Sequence, residues 1–216
     1  VGMGLIGGSI CKSIKAATSH AVYGCDVQQA VLDDAIADGA IDGTGTMTDG
    51  TYDMIILCLH QRIAIQMVQE ALPKIPAGTI LVDTCGLKGR MVRDLTYRCR
   101  KADVRYVGTH PMAGREKNGY YASIPNLFQN ANLIVTPVDG TDEAALDAVK
   151  ELADQMGFGK IVTATPMWHD NMIAYTSQLA HVVSSSYVKD FCMDDALSFS
   201  GGSFQDMTRV ATMDES

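Results

Sequence analysis

At 216 residues and a net charge of -8, with 47% hydrophobic residues, the chain is too apolar to be disordered and long enough for one large domain or a medium domain plus a smaller one. Its acidic balance excludes a nonspecific nucleic-acid binder, which needs a basic footprint, but not a site for a small anion, where one arginine can dominate. The six cysteines, Cys11, Cys25, Cys58, Cys85, Cys99 and Cys192, form no CxxC pair, and no signal peptide or membrane-length apolar run occurs; the expectation is a cytoplasmic protein with reduced thiols, no metal and no membrane partner.

The chain opens on VGMGLIGGS, a strand-to-helix turn with almost no strand before it, so residues are expected to precede Val1. A helix is predicted over residues 4–17, a short strand over 21–25 and a helix over about 27–37. YDMIILCL (52–59) is a continuous apolar run of the kind that crosses the middle of a parallel sheet. QRIAIQMVQEAL takes a helical period, GTILVD (78–83) is the next strand, and 88–99 the next helix. VRYVG is another strand, and ANLIVTP, DEAALDAVKELADQMG and KIVTAT complete a strand–helix–strand series. Strands alternating with helices of this length predict an α/β fold on a parallel sheet with right-handed crossovers.

From Pro166 no strand signal survives. PMWHDNMIAYTSQLAHVVSSSYVKD reads as one long helix with proline at its start, and a second helical stretch around 191–200 ends at Gly201-Gly202. A boundary is placed near residue 164, giving domains of residues 1–164 and 165–216. The second is short for an independent domain, so it is expected to pack on a partner chain or to continue beyond Ser216.

Gly2, Gly4 and Gly7 form GMGLIG, with Leu5 and Ile6 inside it. The first glycine permits a tight turn, the second lets backbone approach a pyrophosphate, and the third lets the helix sit close to the sheet. The free amides at the helix start then face the phosphates. The pattern alone is a weak signal, but here it opens a helix, and the next strand ends in Asp26. A carboxylate there accepts hydrogen bonds from an adenine ribose and repels a 2′-phosphate, favouring NAD over NADP. The competing readings are a glycine-rich turn in some other α/β domain and a plain strand-end cap at Asp26. Ligands in such sheets lie beyond the carboxyl edge of the strands. Cys58 and His60 at one strand end, and Asp83 and Cys85 at another, are therefore expected to line the nicotinamide end. His60 is equally well read as a surface histidine, and Lys88 either lines that end or is a solvated first-turn residue. Cys85 as a nucleophile is the weakest reading, having no histidine close in sequence.

His110 follows RYVG and is placed at the same carboxyl edge, with Pro111 holding its backbone extended. Gly114 and Gly119 bracket a loop that could fold over a ligand. On the long helix, Asp170, Ser177, His181 and Ser184 fall within about 60° of one another at 100° per residue. Such a polar stripe on an apolar helix suggests a polar cavity, with His169 at its edge. Asp206 and Arg209 either share a helix face, or Arg209 offers its fork to a substrate carboxylate.

The stretches VGMGLIGGS, DTCGLKG, GTHPMAGREKNGY, LFQNANLIVTP, WHDNMIAYTSQLAH and GGSFQDMTRVA resemble the prephenate and arogenate dehydrogenases of tyrosine biosynthesis, in family order and over nearly the whole chain. The resemblance implies a Rossmann domain followed by an all-helical domain that forms an intertwined homodimer. It implies oxidation of a cyclohexadienol carboxylate with NAD(P) while carbon dioxide leaves, yielding 4-hydroxyphenylpyruvate or tyrosine. His110 matches the histidine that takes the ring-hydroxyl proton, and Arg209 the arginine that binds substrate carboxylate. His169 and His181 match pocket histidines, with Ser177 and Gln178 beside them, and Gly2, Gly4, Gly7 and Asp26 match cofactor positions. Two departures stand out. Gly86 replaces a serine that in many members hydrogen-bonds the catalytic histidine, leaving open what orients His110. Gln178 replaces a pocket histidine and cannot carry charge at neutral pH, which bears on substrate preference. The chain also stops soon after TRVA, where the family continues.

An imidazole with an ordinary pKa of about 6.5 suits the required proton transfer. The remaining alternatives are a different NAD-dependent hydroxyacid dehydrogenase, a non-catalytic NAD-binding module and a purely structural α/β domain.

Overall fold

A computed structural model describes residues 1–50, 52–115, 117–189 and 193–209, the side chains of 193, 194, 197 and 209 excepted. The chain forms two compact units, Val1–His169 and a second from Asp170 onward.

In the first unit the glycine turn leads into α1 (Leu5–Ala17), followed by β1 (Tyr23–Gly24), α2 (Gln29–Ala37) and β2 (Gly43–Thr44). Then come β3 (Met54–Leu57), α3 (Gln61–Ala71), β4 (Ile80–Asp83), α4 (Gly89–Lys101), β5 (Arg105–Met112), β6 (Asn132–Val135), α5 (Glu143–Gln155) and β7 (Lys160–Thr163). β1 and β2 pair in parallel, and the remaining strands form a sheet in the order β3-β4-β5-β6-β7. Val1 and Gly2 bridge the two groups: the Val1 amine donates to the Ile56 carbonyl, Cys58 N–H to the Val1 carbonyl, and Gly2 N–H to the Cys25 carbonyl, each at 2.8 Å. The glycine turn therefore emerges between the ends of β1 and β3, where the chain direction divides and ligands of such sheets collect.

Every residue of β4 is buried, and its side chains alternate between two cores. Leu81 packs with Leu57, Ala64, Val68, Met91 and Leu95 under α3 and α4. Ile80 and Val82 pack with Val107, Leu133, Val135, Ala145 and Val149 under α5. Helices thus cover both faces, which is why the β3 and β4 sequences read as unbroken apolar runs.

Two sequence expectations are corrected here. The sheet is mixed, because β6 runs antiparallel to β5 while β7 is parallel to β6. A parallel neighbour needs a crossover, usually a helix. Residues 113–131 contain only a short 3₁₀ turn, Tyr120–Ala122, among their described residues, and the chain returns in the opposite direction. In addition, β5 does not stop at Gly108. It continues through His110 to Met112, with His110 opposite Ile134 and Pro111 opposite Leu133. Pro111 is tolerated because β4 ends at Asp83, opposite Gly108, leaving no strand on that side to require its missing N–H.

The helical region starts with α6 (Pro166–Ile173), which crosses the boundary between the units. A π-helical turn, Ala174–Gln178, follows, then α7 (Leu179–Val188), α8 (Met193–Phe199) and α9 (Gly202–Arg209). α7 and α9 pack, with the Tyr187 and Phe204 rings edge to face at 6.0 Å. The single long helix read from the sequence is thus interrupted. A π turn inserts one extra residue, which rotates everything after it by roughly 100° relative to Asp170. The polar stripe is therefore broken between Asp170 and the pair His181 and Ser184. Among the described residues no helix is long and apolar enough to cross a membrane.

Candidate active site

The glycine turn has the steric signature of a close-approach loop. Gly2 has φ +82°, and a Cβ there would meet the Cys58 carbonyl oxygen at 2.5 Å. A Cβ on Gly7 would stand 1.8 Å from the Gly2 carbonyl oxygen, so the turn and the helix start are in backbone contact. Gly4 differs: a Cβ there would find nothing within 4 Å. The first and third glycines serve internal packing, and the second faces open space. α1 begins with no side-chain cap and no acidic residue in its first turn, so the amides around Leu5 and Ile6 and the positive end of the helix are available to an anion. Asp26 ties the turn to the end of β1. Its Oδ2 accepts from Met3 N–H at 2.7 Å and its Oδ1 from Gln28 N–H at 2.9 Å. Each oxygen keeps a further lone pair for a hydroxyl donor.

A continuous wall follows from here. Gly2 abuts Cys58, Leu59 accepts from the Cys85 thiol at 3.4 Å, and Gly86 lies beside His110, where a Cβ would sit 3.7 Å from Nε2. At ~4.8 Å per strand step, the row from Asp26 to His110 spans about 19 Å, the reach of an extended dinucleotide. A cavity of about 540 Å³ reaches the glycine turn at Gly2, Gly7 and Cys58 and is otherwise lined mainly by strand residues such as Val22, Tyr23 and Ile56 with Leu152 of α5. Gly4, Asp26 and His110 are not among its walls.

His110 is half-buried, and its Nδ1 lies 2.9 Å from Nε2 of His169. His169 is 1% exposed and is held in the first turns of α6, its backbone N–H bonded to the Thr165 carbonyl. The ring centroids are 5.1 Å apart, edge to face. The group opposite Nδ1 is thus a histidine, and Nε2 faces the Gly86 loop.

Beneath His110 lies a buried ionic network. Lys88 and Asp83 are both fully buried. The Lys88 ammonium donates to the Asp83 carboxylate and to the Thr109 carbonyl, the latter at 2.5 Å. The other Asp83 oxygen accepts from the Tyr106 hydroxyl at 2.6 Å, the Asp83 carbonyl accepts from the Thr109 hydroxyl at 2.6 Å, and Cys85 N–H donates to the Asp83 carboxylate at 2.9 Å. Burial, and next the Asp83 charge, push the Tyr106 hydroxyl well above its ordinary range, so it remains a donor.

These facts revise several expectations. Asp83 has no exposed face for a cofactor; its carboxylate is consumed by internal donors. Lys88 is not solvated, and its ammonium points into the protein. The Cys85 thiol is pushed up to about 12 by burial and then by the Asp83 charge, which removes the nucleophile reading, since the thiolate is the reactive form. His60 is exposed at the start of α3, and Cys58 is half-buried against the glycine turn. In the second unit, Ser177 is half-buried and Gln178 exposed within the π turn, while His181 is half-buried on α7. The Arg209 side chain lies outside the described residues, so its predicted carboxylate contact does too. The network formed by Lys88, Tyr106 and Thr109 was missed. Its one sequence signal was a lysine at a helix start, where the positive end of the helix disfavours a cation without a partner.

Comparison with known proteins gives a consistent result. A family model described as prephenate dehydrogenase, nucleotide-binding domain, matches residues 10–163, and one described as prephenate dehydrogenase, dimerization domain, matches residues 165–215. A prephenate dehydrogenase of Bacillus subtilis is 29% identical over 98% of this chain and 59% of its own length. A cyclohexadienyl dehydrogenase of Zymomonas mobilis is 31% identical over 98% of this chain and 74% of its own. The chain therefore spans about three-fifths of the Bacillus relative. A solved structure of prephenate dehydrogenase from Aquifex aeolicus, in complex with hydroxyphenyl propionate and NAD+, superposes with TM-score 0.85 at 29% identity, covering 99% of this chain and 77% of that one.

Proposed function

The chain belongs to the prephenate dehydrogenase family, and from that premise we propose that it catalyses the NAD-dependent oxidative decarboxylation of prephenate to 4-hydroxyphenylpyruvate, as a homodimer through its helical region. The observation that carries the reading is His110 at the end of the carboxyl-edge row. Its Nδ1 is engaged by His169 at 2.9 Å and its Nε2 faces the loop opposite.

The residues present fit a dinucleotide. Gly4 leaves backbone room for a pyrophosphate, the α1 amides face it, and Asp26 stands where an adenine ribose would donate hydrogen bonds. NAD, when bound, supplies the hydride acceptor. The chain's own contribution is to place and deprotonate the hydroxyl. With its hydrogen on Nδ1, donated to His169, His110 offers the Nε2 lone pair to the substrate hydroxyl. The proton passes to Nε2 as the carbonyl forms and hydride leaves the same carbon; as carbon dioxide departs, its electron pair makes the ring aromatic and the carbonyl oxygen, now a phenolate, takes the proton back from Nε2. The imidazolium so formed keeps its Nδ1–H bonded to His169. Arg209 is assigned to a substrate carboxylate, with His181, Ser177 and Gln178 on the substrate side.

Arogenate, which carries an amino group where prephenate carries a keto group, is the second reading, and Gln178, a neutral amide at the position of a family histidine, bears on the choice between them. The deciding assay measures NADH or NADPH formation with each acid and each cofactor in the full chain. Turnover of prephenate with NAD is expected. Turnover of arogenate alone selects the second reading, and no turnover of either acid removes both.

A further inference from the structure

Lys88 sits at the N-cap of α4, where a helix end disfavours a cation, yet it is fully buried. A buried ion pair is seldom more stabilising than apolar side chains of the same volume. Packing alone therefore gives no reason for a lysine at this position. What the ammonium has is three donors on a compact head, and two of its acceptors belong to different strands: the Asp83 carboxylate ends β4, and the Thr109 carbonyl lies in β5. That carbonyl belongs to the peptide whose nitrogen is that of His110. The Thr109 hydroxyl closes the link from the other side by donating to the Asp83 carbonyl.

The loop between Asp83 and Lys88 carries Gly86 at its exposed crest. Both ends of that loop are thus bonded to the residue that precedes His110. Gly86 has no side chain with which to reach the imidazole. The width between the loop and Nε2, 3.7 Å from a Cβ placed on Gly86, is set through the two backbones, and Lys88 joins them.

We propose that Lys88 is a positioning residue for the proton transfer: by joining the Asp83 carboxylate to the Thr109 carbonyl, it fixes the gap between Gly86 and Nε2 of His110 that the substrate hydroxyl must enter. The proposal rests on His110 being the proton acceptor.

Lys88→Met removes the donors but strands the Asp83 charge in the interior, which destabilises the fold as well. The companion is the double variant Asp83→Asn/Lys88→Met, which removes both charges together. In the full chain, the double variant is expected to keep its NAD dissociation constant within about threefold, while kcat at saturating substrate falls at least about tenfold. The ¹⁵N resonances of the His110 ring, recorded without substrate, should shift from their positions in the parent. A lysine with only a structural role would lower Tm and leave kcat per folded molecule and the His110 resonances as in the parent; that result overturns the proposal. If the parent turns over neither acid, the functional reading fails on its own, and the His110 resonances alone decide the positioning role.

Discussion

The two sides of the His110 ring are built differently. Nδ1 meets His169, a buried side chain on another element, whereas Nε2 meets a glycine. The sequence named His110 and His169 but could not pair them, because 59 residues separate them and only the packing of α6 brings the rings together. His110→Asn should lower kcat by about 10²–10⁴-fold, the usual worth of a positioned acid–base group, with the NAD dissociation constant unchanged; stopped-flow turnover and cofactor titration measure the two separately, and undiminished turnover would remove the catalytic role. Asp26 has a different task. It caps the glycine turn and, on the proposed reading, also meets the ribose. Asp26→Ser should reduce the NAD-to-NADP preference in kcat/KM by about tenfold or more, one such charge-assisted bond being worth roughly 1.5–3 kcal/mol. An unchanged ratio would leave Asp26 a cap alone.

Among elements, the glycine turn was the most legible, because the constraint is local: the backbone of residues 2–7 folds on itself. The structure separates glycines that the motif treats alike. Gly7→Ala drives a methyl into the Gly2 carbonyl, and should destabilise the first unit by about 1–3 kcal/mol while abolishing NAD binding. Gly4→Ala meets no protein atom. It should fold with a parent-like Tm yet weaken NAD by about tenfold or more. Thermal melts and cofactor titration on both variants provide the check, and equal loss of stability in the two would refute the assignment of Gly4 to the ligand side. Strand β5 was less legible. Its continuation through His110 depends on β6, which pairs with it from 20 residues further along, and a proline after the histidine concealed the pairing. The π turn in the helical region was not legible at all. AYTSQ carries ordinary helical periodicity, and nothing in it marks the inserted residue; Thr176 bonds back to the Met172 carbonyl at its start.

At the scale of the whole molecule, the absence of CxxC spacing led to the expectation of free thiols; among the described residues Cys11, Cys25, Cys58, Cys85 and Cys99 are unpaired, and Cys192 lies outside them. Burial is the first cause that pushes Cys11, Cys85 and Cys99 from 9.0 up to about 12. The folded state therefore holds these protons after the unfolded chain has released them. Their contribution to stability is fully present below pH 9 and is lost as pH rises toward 12. Tm should accordingly decline progressively across that interval, and Cys99→Ala should make the decline shallower at some cost in Tm at neutral pH. A melting temperature independent of pH up to 12 would contradict this.

The sequence by itself determined the class of fold, the glycine turn, the short strand that precedes Asp26 and the family, because each rests on local spacing or on motifs read in order along the chain. The tertiary structure alone decided the direction of β6, the pairing of His110 with His169, and the inward turn of Asp83 and Lys88. These depend on which backbones lie side by side, and a buried charge is stable only where distant groups complete its hydrogen bonds. An aspartate at a strand end and a lysine five positions on read as cofactor-lining residues, or for the lysine as a solvated one, until Tyr106 and Thr109 enclose them.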